Sequence, residues 1–276
     1  MKTQLFFGLI GALLLSTGCY IDEIELDLNK GENQRLVIDA WITDLDEQQS
    51  VFLHLTTDYL KQETPTTVDN ALVSLSVGDQ VIDLISRGNG GYDLPGSWKA
   101  EEGREYTLRV DHDGEEYIAT ALLRPKPLVQ NVRAEIYDGD DEEENHGDTT
   151  AFEVYFDLRD HPGEGDGYFG REYQVGKDPG LIVDEAGWIS DDFIDGLLLR
   201  DLTLENTYLK GEKIIVEFHS VGKAAADYFT NLDLVRYREG LFDPPPYNIA
   251  TNISNGAVGF FVMSAVYVEE VGLDQP

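Results

Sequence analysis

Leu36-Val37-Ile38-Asp39-Ala40-Trp41-Ile42-Thr43-Asp44 sets the pattern that decides the fold. Leu36, Ile38, Ala40 and Ile42 fall on one side of an extended backbone, with Val37, Asp39 and Trp41 on the other. A period of two marks a half-buried strand. Trp41 stands opposite the aliphatic row, which suits an outer face or an interface between domains. The same alternation returns downstream at Val51, Leu53 and Leu55, at Val73, Leu75 and Val77, and at Tyr106, Leu108 and Val110. Ile118, Thr120 and Leu122 close the series more weakly. Turn signals lie between the runs: Gly78-Asp79, Gly88-Asn89-Gly90-Gly91, Glu102-Gly103 and Asp113-Gly114. About seven short strands over roughly 90 residues predict an immunoglobulin-like β-sandwich for residues 34–124, without the cysteine pair of antibody domains.

Arg124-Pro125-Lys126-Pro127 is the candidate boundary, because alternate prolines favour extended backbone and cannot donate to a sheet. Residues 128–276 then read as a second β-rich, sandwich-like domain. Its strands are expected near Val132–Ile136, Phe152–Leu158, Tyr168–Val175, Phe193–Leu199, Lys213–His219 and Val258–Val268. One segment departs from this pattern. From Lys223 to Arg236, Tyr228, Leu232 and Val235 recur at helical spacing behind Ala224–Ala226, predicting a single amphipathic helix. The fold class is thus mostly β, with two sandwich-like domains and one helix near 223–236.

Upstream of the first strand the chain changes character. Lys2 precedes an apolar run from Leu5 to Leu15, too short to span a bilayer, which needs roughly 20 residues. Ser16-Thr17-Gly18 lead into Cys19, the only cysteine. Small residues ending at a lone cysteine look like a lipobox, so residues 1–18 read as a lipoprotein signal peptide and Cys19 as the lipidated residue. An ordinary secretory peptide is the alternative. Structural disulfides would require further cysteines, so thiol chemistry and Cys-ligated zinc are excluded for the remainder of the chain. Residues 19–33 read as an acidic tether carrying Asp22, Glu23, Glu25 and Asp27.

The formal net charge of −33 argues against nucleic acid, whose binders carry a basic footprint. It fits a solvated exported surface, or a cationic partner. No histidine falls in a zinc-protease pattern, and no nucleophile elbow or phosphate loop is present among His54, His112, His146, His161, His219 and their surroundings. With 53 carboxylates, acid pairs are everywhere and point to nothing. The reading is therefore non-enzymatic, with no cofactor. Calcium, which takes six to eight oxygens, has candidate donors in Asp138, Asp140, Asp141 and Asp148. That stretch also reads as a self-repelling loop. Asp111, Asp113 and Glu115, and Asp160, Glu164 and Asp166, are further acidic loops without a recognised calcium spacing. Trp98, in the loop-like stretch Pro95-Gly96-Ser97-Trp98-Lys99, and Trp188, after Glu185-Ala186-Gly187, are candidate binding aromatics, since an exposed ring in a loop can stack on a sugar or anchor a partner; a place in the core is the default.

Several segments together carry a resemblance. They are the strand 36–44, Gly91-Tyr92-Asp93-Leu94, Gly103-Arg104-Glu105-Tyr106-Thr107-Leu108-Arg109-Val110, Asn248-Ile249-Ala250-Thr251-Asn252-Ile253 and Asn255-Gly256-Ala257-Val258-Gly259-Phe260-Phe261. In this order the chain resembles the Bacteroidetes lipoproteins grouped as domain of unknown function 4249. The acids after Cys19 resemble the export signal that sends such lipoproteins to the cell surface. The resemblance implies an outer-membrane lipoprotein, lipid-anchored and facing the exterior, often encoded beside a TonB-dependent receptor. It brings no catalytic or binding residues. The expected function is ligand capture or capping for such a transporter. The alternative is an adhesive module that binds glycans or proteins.

Overall fold

The structure is a computed structural model, and it describes residues 34–57, 64–137, 151–176, 187–236 and 249–273. Within it, β-strands dominate. They are β1 (Leu36–Thr43), β2 (Ser50–Leu55), β3 (Leu72–Val77), β4 (Gln80–Asp83), β5 (Ile85–Gly88), β6 (Gly91–Asp93), β7 (Glu105–His112) and β8 (Glu115–Leu122) in the first half. The second half adds β9 (Leu128–Ile136), β10 (Ala151–Arg159), β11 (Asp166–Gln174), β12 (Gly187–Ser190), β13 (Leu198–Leu209), β14 (Lys213–Gly222), the helix α1 (Lys223–Arg236) and β15 (Val258–Gly272).

These strands form three sheets. The largest has the order β12-β11-β14-β15-β1-β2-β6-β5, and the others run β4-β3-β7-β8 and β13-β10-β9. The last strand is the hinge of the architecture. β15 pairs in parallel with β1 and antiparallel with β14, so the large sheet joins the two halves of the sequence. Its first half packs Phe261, Met263 and Ala265 with Ile38, Ala40, Ile42, Leu75, Leu108 and Tyr106 in one core. Further along the same face, Tyr267, Val271 and Leu273 join Phe152, Phe156, Ile214, Val216 and Phe218 in a second. The four-stranded and three-stranded sheets therefore cover one face of the large sheet. The helix covers the other, where Phe260, Val262 and Val221 meet Ala225, Ala226 and Phe229. A strand buried on both sides reads as an almost unbroken apolar run, as Val258–Val268 does. The segment assigned from sequence to the second domain thus contributes to both cores. The 124–127 junction is itself fastened: Arg124 Nε lies 3.0 Å from Asp166 Oδ1 and Lys126 Nζ 2.8 Å from Asp44 Oδ2.

Two glycines permit these contacts. Gly259 has φ +96°, and a Cβ there would lie 2.2 Å from the Ile38 carbonyl oxygen, so only glycine lets β15 lie against β1. At Gly167 a Cβ would come within 2.6 Å of the Ala226 Cβ, so the helix seats against a bare backbone. The helix occupies the predicted span, with its buried face centred on Ala225, Ala226 and Phe229 and with Tyr228 and Leu232 beside it.

Two local expectations are corrected. In β8 the core-facing residues are Ala119 and, just beyond its end, Leu123, with Tyr117 and Ala121 beside them, while Ile118 and Leu122 are exposed. The two-residue turn at Asp113-Gly114 sets the register, pairing Val110 with Tyr117 and Leu108 with Ala119. Residues opposite the buried side chains of β7 must share their face, whatever their size. Near Phe193 no strand forms. Ser190 Oγ accepts from the Asp192 backbone N–H, capping a short 3-10 turn at 191–193, and β13 begins only at Leu198.

Candidate functional site

Trp98 stands in a loop at the far end of β1 from the point where the chain enters it. The turn is built locally: the Trp98 N–H donates to the Pro95 carbonyl at 2.8 Å. The opposing loop, 44–49, is held by a buried amide. Gln49 Oε1 accepts from the Thr43 N–H at 2.7 Å, and its Nε2 donates to Thr43 Oγ1 at 3.0 Å. Gln48 Nε2 then donates to the Leu94 carbonyl at 2.8 Å and ties the two loops together.

The indole lies between two clefts. One, of about 310 Å³, is lined by Val77, Gln80, Ile82, Ser97, Lys99, Glu101 and Tyr106 as well as Pro95 and Trp98. The other, of about 180 Å³, is lined by Asp46, Glu47, Gln48, Gln49 and Gly96 around the same proline and tryptophan. The larger reaches the lower size limit of small-ligand pockets. Trp98 rests edge-on against Tyr106, with ring centroids 5.9 Å apart. Tyr106 in turn accepts from the Glu101 N–H at 2.7 Å through its buried hydroxyl. Burial, partly offset by that backbone hydrogen bond, raises the Tyr106 pKa above the usual phenol range. The ring is therefore held on a rigid support. Two of the carboxylates already have cations: Asp46 Oδ1 is 3.3 Å from Lys99 Nζ, and Glu101 Oε2 is 3.3 Å from Arg104 Nη1. Chemically the site offers an aromatic plane ringed by hydrogen-bonding oxygens, amides and a hydroxyl.

A second polar centre lies on the helix side of the large sheet. Trp41 Nε1 donates to Ser264 Oγ at 2.9 Å, and Ser264 Oγ is 3.1 Å from His219 Nδ1. His219 Nε2 lies 3.6 Å from Glu217 Oε2. Glu217 accepts from Tyr173 at 2.5 Å and from Arg171 Nε at 2.7 Å. Burial pushes the Glu217 carboxyl up, but the nearby His219 N–H and the hydrogen bonds from Tyr173 and Arg171 outweigh it and hold the pKa at about 2. His219 is 1 % exposed, and burial lowers its pKa, so the imidazole is neutral. Glu217 can only accept, which assigns the ring proton to Nε2 and leaves Nδ1 to accept from Ser264. This buried chain orders the sheet.

The two candidate aromatics have different settings. Trp98 lines the clefts. Trp188 lies in an aromatic stack, its ring 4.9 Å from Phe229 and 4.8 Å from Phe169, both nearly parallel. Trp41 completes that cluster at 5.1 Å from Phe229. Cys19 and the calcium candidates Asp138, Asp140, Asp141 and Asp148 lie outside the described residues. Asp160 and Asp166 are engaged in loop building: Asp160 Oδ2 accepts from the Gly196 N–H, and Asp166 faces Arg124. Among the described residues no group of three His, Cys, Asp or Glu side chains is placed to hold a metal ion. Asp46, Glu47, Gln80 and Glu101 were not candidates from sequence. They come from the 44–49 loop, the start of β4 and the stretch before β7, and only the pairing of β1, β2 and β6 brings the first two to Trp98.

The profile of the family described as Domain of unknown function (DUF4249) matches residues 21–270. No curated protein matches the chain.

Proposed function

The chain belongs to the DUF4249 family, and on that premise we propose a surface-exposed, lipid-anchored binding module of the outer membrane. It serves a TonB-dependent transporter by capturing ligand or capping its extracellular mouth, and it does no covalent chemistry. The observation that carries this reading is the position of the Trp98 clefts. The chain enters the sheet at Leu36, and the 44–49 loop follows Thr43 at the other end of β1. Seven residue steps at about 3.3 Å each separate the two ends by roughly 23 Å. Trp98 therefore stands at the end of β1 opposite the one through which the chain enters the sheet. Loops on a rigid β scaffold are where binding groups are most often carried. Cys19, behind the apolar run Leu5–Leu15, and the acids that follow it supply the anchor and the address.

The test is deletion of the gene in its native host, followed by complementation with the wild type, Cys19→Ala and Trp98→Ala. Uptake of candidate nutrients and protease accessibility on intact cells are measured. Lost uptake, restored by the wild type alone, supports the reading. Unchanged uptake in the deletion strain overturns the transporter role.

An adhesive module independent of transport is the second reading. Leu72, Val81 and Ile85 favour it, being 74 %, 66 % and 68 % exposed on the successive strands β3, β4 and β5. Co-purification separates the two: a stoichiometric barrel partner in detergent extracts supports the transporter reading, and its absence supports adhesion.

A further inference from the structure

We infer that the paired clefts at Trp98 take a neutral saccharide, one sugar ring against the indole and its neighbour across Pro95. The inference rests on the binding-module reading above and narrows it to a ligand class. A sugar ring has an apolar C–H face and an equatorial belt of hydroxyls. The first is best covered by a fixed aromatic plane and the second by carboxylates and amides that need no ring charge to pair with. Trp98 supplies the plane, braced edge-on by Tyr106. Gln80, Ser97 and Glu101 line one side, and Asp46, Glu47 and Gln48 the other.

Local charge favours a neutral ligand, because two of the three carboxylates lining the clefts face cations. The chain as a whole is strongly acidic, which by itself would suggest a cationic ligand. Within the clefts, however, Asp46 faces Lys99 and Glu101 faces Arg104, each at 3.3 Å. At those two carboxylates a cationic ligand would have to displace a cation already in place. A neutral polyol can hydrogen-bond to the paired groups without breaking either pair. Two clefts meeting at one ring also suit a chain of sugars better than a single compact molecule.

The experiment follows the indole N–H signals of the full mature protein. The chain has three tryptophans, so ¹⁵N-labelled protein yields three such signals, and Trp98→Phe assigns one of them. Neutral hexasaccharides of glucose, xylose, mannose and N-acetylglucosamine are titrated separately, with trilysine as the cationic comparison. The expected result is that at least one series shifts the Trp98 signal saturably while those of Trp41 and Trp188 stay in place. Trp98→Ala weakens that binding about tenfold or more. Because Trp98 also packs on the core, Gln80→Ala, an exposed change at the cleft rim, is the second variant and weakens binding about threefold with an unchanged unfolding midpoint. No shift with any saccharide overturns the inference, as does a Trp98 shift with trilysine alone. If saccharides are silent while Trp98→Ala still abolishes uptake in cells, the ligand class fails and the binding-module reading survives. If saccharides bind but uptake never changes, the inference stands and the transporter role fails.

Discussion

Trp41 and Ser264 are 223 positions apart, and the indole Nε1 of one donates to the hydroxyl of the other at 2.9 Å. That bond ties β1 to β15 in the middle of the large sheet. β1 and β15 pair in parallel beside it, and Trp41 and Ser264 lie on the face that receives the helix. Ser264 is fully buried, so its hydroxyl has no access to water as a substitute partner, and Trp41 is partly buried beside it.

Ser264→Ala is therefore expected to destabilise more than Trp41→Phe. The alanine leaves the indole N–H without its acceptor and removes a partner of His219. An orphaned buried donor costs about 1–3 kcal/mol. Trp41→Phe removes the donor itself and retains a ring for the stack with Phe169 and Phe229. Urea midpoints at constant m-value measure both. Equal losses would mean that ring volume, and not the hydrogen bond, is what the site uses.

Much of this arrangement is legible from the alternation of β1, and some of it is not. Even residues 36–42 face a core and Trp41 faces elsewhere, as period two requires. The helix was readable because its spacing changes from two to near four in a β-rich chain. The partner of each strand was not readable. A parallel pairing of the first strand with the last leaves no turn signal, since nothing local connects them. β8 shows the limit in miniature: Ile118 and Leu122 outrank Ala119 and Ala121 in hydrophobicity, yet cross-strand register with Leu108 and Tyr106 decides which face is buried. The site follows the same logic. Trp98 could be named from its loop, whereas its companions Asp46 and Gln80 become neighbours only through sheet pairing.

Gly259→Ala tests the parallel pair directly. The new Cβ would sit 2.2 Å from the Ile38 carbonyl oxygen, at a φ of +96° that L-residues avoid. Strain of this kind costs about 1–3 kcal/mol before any clash with backbone, which cannot move aside as a side chain does. Gly256→Ala is the control. Its φ is +73°, but a Cβ there meets nothing within 4 Å, so only the conformational cost of about 1 kcal/mol applies. Thermal denaturation should rank Gly259→Ala well below Gly256→Ala; similar midpoints would refute the close approach of β15 to β1.

Glu172 gives a stability that falls as pH rises. Its side chain is 7 % exposed, and burial, partly offset by Asn206, pushes the carboxyl up to about 7. In the unfolded chain it titrates near 4.5. Between those values the folded state keeps a proton that the unfolded state has lost. The contribution is fully present below pH 4.5 and is lost as pH rises through 7, by at most about 3 kcal/mol. Glu172→Gln mimics the protonated form and should remove this loss. Comparing urea midpoints at pH 5 and pH 8 checks it: the variant gains on the wild type at pH 8 and not at pH 5. An equal difference at both values would show that Glu172 does not titrate in this window.

Glu217 acts in the opposite sense at lower pH. Its folded pKa of about 2 lies below the ordinary 4.5, because the nearby His219 N–H and the hydrogen bonds from Tyr173 and Arg171 outweigh the cost of burial. The contribution is present above pH 4.5 and is lost as pH falls through 2, again by at most about 3 kcal/mol. Glu217→Gln should cost about that much at pH 7, because Arg171 Nη2, 2.6 Å from Glu217 Oε2, would be left without its counter-charge in a largely buried position. At pH 2 the wild-type carboxylate is itself half protonated, so the two proteins should converge there. Stability curves of both from pH 7 to pH 2 measure the convergence. Parallel curves would mean that shape and not charge is what Glu217 contributes to the sheet.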